Sequence, residues 1–539
     1  MLPSDMPPRP DLAARAQPVT PSTWMAGVLI AGLLLLTAIA LGRLIEWEPL
    51  ISDSIGYLYA AQRIAAGFGP TYDDPNNALA GPYFSLYAFQ VRHPDSALMY
   101  LGFPPGLSFL LAIPLLIEPL AGLVHWVIPA TALLSLGLSG ALAWKLSGRA
   151  WAALWAVLVF AVTPELWRFG TAIWSEFPSA AMMTAALALY LMAERRPVSR
   201  RVETVLLAVT GLLLGYSVFV RYANLVVLPV FLLADALLIR KHPQKLASHW
   251  PLWLLSGLTV VLIPVFNHFY YGGWNLTSYS PVHGWYPNPA FSLTYALGPS
   301  FIDGYSLRAA MTTLWRNFGI FLLLAPVGWM FLGRAGAMLA GIALMLLSIY
   351  AVYAFAPTGI NARFMIPMFP MLAIGAGVAL VNIGASLPRP LRLALGVGLL
   401  LLAVWRLPTD LTVVAQRNRD NARHVALMQT LTASTPENAV FMSYPWNDLL
   451  AVYGDRAVFT FRRVPVSDAA TQRYYIDAAV PTIISVITTL LEQGKSVYYV
   501  ATGSDFVPGL PDTLQAHFTA EATTVEGITV LRLALAPTP

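Results

Sequence analysis

Apolar positions fall into twelve long runs separated by short polar breaks: 24–42, 98–117, 123–146, 151–162, 177–193, 202–219, 223–239, 250–266, 312–332, 336–356, 364–386 and 391–407. Most approach the ~20 residues that a helix needs to cross the hydrocarbon core of a bilayer. Basic residues collect between the runs, at Lys145/Arg149, Arg195/Arg196/Arg200/Arg201, Arg240/Lys241/Lys245, Arg334 and Arg389/Arg392. Such basic loops mark the cytoplasmic side. Twelve crossings from a cytoplasmic N-terminus would put Lys145 and Arg149 on the wrong face. All the basic groups share one face if the 98–117 run does not cross. That run is interrupted by Pro104, Pro105, Gly106 and Pro114, and Pro in a helix interior breaks it. The pattern therefore predicts an all-α polytopic membrane protein of about eleven spans plus one re-entrant or juxtamembrane hairpin. Its N-terminus is inside and its C-terminus outside.

Beyond residue 407 the long runs cease. Segments 438–443, 496–501 and 527–533 read as strands, and 425–431 and 483–492 as helices, so residues 408–539 are expected to form a small α/β domain outside the membrane. Residues 24–407 form the transmembrane domain, with 43–122 as a first outer loop carrying juxtamembrane helices. Residues 1–23 are Pro-rich, contain Arg9 and Arg15, and read as a disordered cytoplasmic tail rather than a cleavable signal. Only 11% of residues are charged and 57% are hydrophobic, against about 25% charged in soluble domains. Most of the chain therefore belongs in lipid. The absence of cysteine excludes disulfides, thiolate metal sites and a cysteine nucleophile. The net charge of +5 lies between apolar runs, which fits membrane lipids and not nucleic acid. The basic loops hold no Gly-Lys-Ser/Thr phosphate loop.

The segment 46–69, directly after the first run, reads as a short helix on the membrane face, opened by Ser52 or Asp53 and stopped by Gly67 and Gly69. A carboxylate at Asp53 would stand at the water–lipid boundary and suit a general base; a plain N-cap is the alternative. Glu176 opens the next outer mouth, one residue after Ser175, while Glu165 reads as solvated. Arg221 and Arg363 interrupt apolar surroundings on the outer side. Each calls for an anionic partner such as a lipid phosphate, whose oxygens match the guanidinium fork; snorkelling to headgroups is the other reading. Arg63 and Arg92 are further phosphate candidates, and Tyr57, Tyr59, His93 and Tyr270 are candidate substrate contacts. His125 and His268 read as packing residues. Tyr279, Trp285, Tyr286 and Tyr295 form either a sugar-stacking platform or an interfacial belt.

The first-loop Asp53 followed by Tyr57, the Pro104-Pro105-Gly106 turn, Pro164…Ser175-Glu176-Phe177-Pro178, Gly215…Arg221, and Arg363-Phe364…Pro367…Pro370 together resemble the GT-C glycosyltransferases. Within these the sequence is similar to the aminoarabinose transferase, protein O-mannosyltransferase and RgtA/B/C/D-like group, over residues 24–407. The resemblance implies inverting transfer of a sugar from a polyprenyl-phosphate donor to a lipid, glycan or protein acceptor at the outer face of a bacterial inner membrane. Asp53 would be the base, Glu176 would orient a substrate, and Arg363 and Arg221 would meet the departing phosphate. Glu176 stands where Asp is frequent, and Asp53-Ser54 replaces an acidic pair. No cofactor is expected, and a divalent metal is not indicated. Two other classes stay open. A transporter or flippase for a lipid-linked substrate predicts a polar pathway across the whole membrane. A non-catalytic envelope scaffold predicts that Asp53, Glu176 and Arg363 do not converge.

Overall fold

The computed structural model describes residues 21–91, 98–195, 199–279, 291–300, 305–405, 407–443, 446–460, 464–466, 474–476, 480–501 and 509–536. Arg92, His93, Trp285, Tyr286 and most of the N-terminal tail lie outside the described residues. The first helix is α1 (Pro21–Arg43). An outer segment follows with α2 (Ser52–Ala65), α3 (Asn76–Ala80) and α4 (Gly106–Leu115). The bundle continues with α5 (Val127–Ser147), α6 (Ala150–Ala161), α7 (Pro164–Phe169), α8 (Glu176–Arg195), α9 (Arg200–Val220), α10 (Leu228–Lys241) and α11 (Leu246–Tyr271). Then come α12 (Leu293–Leu297), α13 (Ser306–Phe318), α14 (Phe321–Met330), α15 (Arg334–Ala351), α16 (Phe369–Ala385) and α17 (Arg389–Val404).

Among the described residues, nine helices are long and apolar enough to cross a membrane, and ten if one bent pair counts as a single span. The 12-residue α6 is the remaining member of the eleven runs assigned to spans. At ~1.5 Å per residue it is too short to cross alone, and it lies between α5 and α16. The 98–117 run divides into strand β3 (Leu98–Leu101) and the ten-residue α4, and it forms no span. The 312–332 run departs from the expected single helix. It is broken between α13 and α14 by a 90° bend, at Gly319, whose φ of +52° lies in the left-handed region that a side chain disfavours.

The centre of the bundle is α16, buried over most of its length. It approaches α14 backbone to backbone: a Cβ on Gly375 would lie 2.4 Å from the Ala325 carbonyl oxygen, and one on Gly328 only 1.7 Å from that of Gly375. Small residues allow this approach between helices that gain nothing from leaving lipid for one another. At one end of the bundle ionisable groups knit five helices together. His249 on α11 lies 2.5 Å from Asp235 on α10 and 3.1 Å from Glu203 on α9, Lys245 meets Glu203 at 2.6 Å, and Arg334 on α15 pairs with Glu194 on α8. Glu176 opens α8 and Glu194 nearly closes it. The 18 intervening steps span ~27 Å, so this ionic belt and Glu176 face opposite membrane surfaces.

Outside the bundle, α18 (Leu407–Ala433) leads into strands β4 (Ala439–Met442) and β5 (Ala457–Phe459), with α19 (Asn447–Val452) between them. Helices α20 (Val480–Glu492) and α21 (Leu510–His517) and strands β8 (Ser496–Ala501), β9 (Phe518–Val525) and β10 (Ile528–Leu535) complete a sheet of order β5-β4-β8-β10-β9. A second sheet mixes distant parts of the chain. Strands β1 (Thr71–Asp73), β2 (Phe89–Val91) and β3 of the first outer segment join β6 (Val464–Val466) and β7 (Tyr474–Ile476) in the order β1-β3-β2-β6-β7. The first loop and the C-terminal region thus build one outer layer. Ile55 of α2 is buried in the same apolar cluster as Met428, Leu431, Phe441 and Leu450.

Replacing Gly375 by Val forces a side chain into the Ala325 carbonyl, with a cost of about 1–3 kcal/mol or more for overpacking. A lowered midpoint of thermal unfolding in detergent is the expected outcome, and an unchanged midpoint would contradict the close approach.

Candidate active site

Helix α2 opens with Ile51 at the N-cap, where no side chain caps the helix. Asp53 is therefore free of the capping role that its position suggests. Its carboxylate turns instead to Arg363, whose Nη2 donates to Oδ2 at 2.8 Å. Ser54, the next residue, anchors the helix by donating to the Ile173 carbonyl at 2.9 Å. On the other side of the helix, Ser108 of α4 donates to the Tyr57 carbonyl at 3.1 Å. The Pro104-Pro105-Gly106 hairpin thus backs the helix that carries Asp53.

Arg363 also donates through Nε to Glu176 Oε1 at 3.0 Å, and Arg221 Nη1 donates to the same oxygen at 2.5 Å. Arg221 reaches Ser175 Oγ at 3.0 Å and Tyr350 OH at 2.7 Å as well. Two carboxylates and two guanidiniums from four separate segments form one neutral chain, Asp53–Arg363–Glu176–Arg221. Its floor is aromatic: the Arg363 guanidinium carbon lies 3.9 Å from the Trp174 ring centroid, and that of Arg221 lies 5.4 Å from Phe364. Such contacts stabilise a cation where water is scarce.

The chain is buried unevenly. Glu176 is 1% exposed and Asp53 21%. Among the described residues, Oε2 of Glu176 and Nε of Arg221 are buried without a hydrogen-bond partner, an acceptor and a donor that a polar ligand would satisfy. Burial raises the Asp53 carboxyl above the usual carboxylate range, against the nearby Arg363 charge, and Glu176 adds to the rise. Tyr57 is buried beside these groups; burial first, then the Asp53 and Glu176 charges, push its phenol up, so it stays a neutral hydroxyl.

The other sequence candidates stand apart. Tyr59 packs on Tyr72 and Phe89, with ring centroids 5.4 and 5.7 Å away. Arg63 lies over Phe68 at the far end of α2. Tyr270 stacks on Phe266 at 4.2 Å. None of these three makes a contact with the four-charge chain. His125 meets Trp47 and His268 stacks on Trp274. Glu165 departs from the solvated position expected of it: it is fully buried and paired with Arg316, because the last turn of α13, just before the bend at Gly319, brings Arg316 and Asn317 to it. Trp174 and Tyr350 were not legible as site residues, since each sits in or beside an apolar run like any interfacial aromatic. Among the described residues, no group of three or more His, Asp or Glu side chains gathers as a metal site.

A multi-pass helical bundle with a polar site at one surface, roofed by an α/β layer, is thus the class of molecule in hand. No family model matches the chain, and no curated protein matches it. Solved structures do. The chain is similar to the crystal structure of ArnT from Cupriavidus metallidurans bound to undecaprenyl phosphate, with a TM-score of 0.60 at 14% identity, over 95% of this chain and 98% of that one. It is also similar to the archaeal oligosaccharyltransferase AglB from Archaeoglobus fulgidus in complex with an inhibitory peptide and a dolichol-phosphate. There the TM-score is 0.52 at 12% identity, over 95% of this chain and 75% of that one. The chain shares the fold of these two structures, the GT-C fold.

Breaking a buried ion pair from one side costs about 3–5 kcal/mol. Glu176→Gln leaves two buried guanidiniums sharing Asp53, so a large fall in thermal stability is expected. Asp53→Asn, at the more exposed end, should lower it much less. Equal losses would show that the two carboxylates are not ranked by burial.

Proposed function

We propose that this protein transfers a sugar from a polyprenyl-phosphate donor to a lipid, glycan or protein acceptor, with inversion, at the outer face of a bacterial inner membrane. The observation that carries the reading is the convergence of Asp53, Arg363, Glu176 and Arg221, with a buried acceptor and a buried donor unmet among the described residues. A scaffold has no need for four charges brought together at membrane depth, which cost several kcal/mol to desolvate. A transporter needs polar groups along the whole path, yet α8 carries no Asp, Glu, His, Lys or Arg between Glu176 and Glu194. The neighbours crystallised with undecaprenyl phosphate or dolichol-phosphate support a polyprenyl-phosphate ligand. Basic residues on the opposite face support a cytoplasmic N-terminus and an outer site.

In this reading Asp53 takes the proton from the acceptor hydroxyl through Oδ1, since Oδ2 is engaged by Arg363. The hydroxyl oxygen attacks the anomeric carbon from the side opposite the phosphate, and the C–O bond to phosphate breaks. Arg363 and Arg221 meet the charge that grows on the departing phosphate, through donors fixed before the reaction begins. Glu176 holds those two guanidiniums apart and offers Oε2 to a sugar hydroxyl. Tyr57, neutral and adjacent, is a donor to the same substrate.

The test is release of polyprenyl phosphate by purified protein from a panel of synthetic polyprenyl-phosphate sugars. Asp53→Asn should cut turnover by about 10²–10⁴ while leaving binding of the lipid phosphate in place. Turnover that survives this substitution would remove Asp53 as the base.

Because a base must be ionised to work, activity should fall as pH drops through the Asp53 pKa. Burial raises that pKa above the ordinary aspartate value, so the acid limb of kcat/KM should sit at higher pH than an unperturbed aspartate would give. Arg363 holds the pKa down, and Arg363→Gln should therefore move the limb to higher pH in whatever activity remains. A limb that does not move would uncouple the pair.

A further inference from the structure

A second concentration of positive charge lies beside this chain of ion pairs, and the proposed reaction makes no use of it. Arg168 of α7 donates Nη1 to the Gly359 carbonyl at 3.3 Å, and Arg363 donates Nη1 to the Ile360 carbonyl at the same distance. Two guanidiniums thus hang from consecutive carbonyls of one segment. Arg316 arrives from α13 to pair with Glu165, one turn before Arg168. Arg417 arrives from α18 and donates to the Arg168 carbonyl at 2.8 Å.

Most of these cations have carboxylates. Arg363 has Asp53 and Glu176, Arg316 has Glu165, and Arg417 has Glu46 at 3.7 Å. Arg168 makes no ion pair among the described residues. It is half-buried, with its guanidinium carbon 5.1 Å from the Phe169 ring centroid. Burial holds it below its ordinary pKa, and Arg316, Arg417 and Arg363 add to that against the pull of Glu165. Buried charges in proteins are paired, and a guanidinium set among other guanidiniums is suited to share an anion with them.

We propose that Arg168, with the 45%-exposed Arg316 beside it, forms a second phosphate subsite next to the one at Arg363 and Arg221. The word "second" rests on the donor reading above; the anion chemistry of Arg168 does not. Two forks approaching from different helices fit a tetrahedral group, whose oxygens point in several directions, better than a planar carboxylate. The phosphate has two sources. It is either the second phosphate of a polyprenyl-diphosphate donor or a phosphate carried by the acceptor.

The experiment measures binding to the full chain in neutral-lipid nanodiscs. The probes are a synthetic polyprenyl monophosphate, the matching diphosphate, and inorganic phosphate added after saturation with the monophosphate. Arg168→Gln is a mild change, because the side chain makes one long hydrogen bond and Arg417 holds only its backbone. Expected is a loss of about tenfold or more for the diphosphate or for inorganic phosphate, with the monophosphate within about twofold. Arg168→Lys should recover part of it. A loss confined to the diphosphate assigns the subsite to the donor; one confined to inorganic phosphate assigns it to the acceptor. If all three probes bind Arg168→Gln as they bind wild type, or if the monophosphate weakens as much as the others, there is no second subsite. Wild type that binds neither lipid, yet loses inorganic phosphate on Arg168→Gln, would overturn the donor reading and keep the subsite.

Discussion

Four charges at one end of the bundle must be satisfied by one another, and the surrounding architecture follows from that constraint. Desolvating a carboxylate or a guanidinium costs several kcal/mol each, and attraction offsets this only with good geometry and full hydrogen bonding. Each member comes from a different place: Asp53 from α2, Glu176 from the start of α8, Arg221 from the turn after α9, and Arg363 from the segment before α16. The chain of ion pairs is complete only when all four segments are in place. Aromatic faces from Trp174, Phe364 and Tyr350 exclude water beneath it. Among the described residues, Glu176 Oε2 and Arg221 Nε remain buried and unmet.

The outer layer serves this cluster indirectly. Ile55 sits two residues from Asp53 and is buried among side chains of the C-terminal region. Tyr87 donates its backbone N–H to Asp448 at 2.9 Å, and Thr460 donates to the Tyr83 carbonyl at 3.0 Å. Glu46 accepts from Asn421 at 2.7 Å, fixing the turn between α1 and α2 to α18. A helix lying at a membrane surface would otherwise be held from one side only. Here its apolar face has a core to enter.

Much of this was legible in the sequence because lipid is a demanding solvent. Hydrophobic length reports spans directly, and an Arg or Glu among apolar residues stands out, so Glu176, Arg221 and Arg363 could be singled out one by one. Prolines around 104–114 marked the run that does not cross. Other features left no local trace. Pairing of β2 with β6 joins Val91 to Val466, and nothing in either short strand announces its partner. The bend at Gly319 fell inside a run that read as one helix, and with it went the cover over Glu165. Tyr350 binds Arg221 through a hydroxyl that resembles any other tyrosine at a span end.

The shared sheet has a consequence for how the molecule comes into being. Strands β1 to β3 and helix α2 emerge early in synthesis, yet their partners are the last parts of the chain to appear. Closing contacts across such a separation is slow and entropically expensive. Until the C-terminal region is in place, Ile55 on the helix bearing Asp53 lacks the apolar cluster that buries it. The four-charge chain can therefore reach its final form only after the last third of the sequence has been made, well after the first helices are in place.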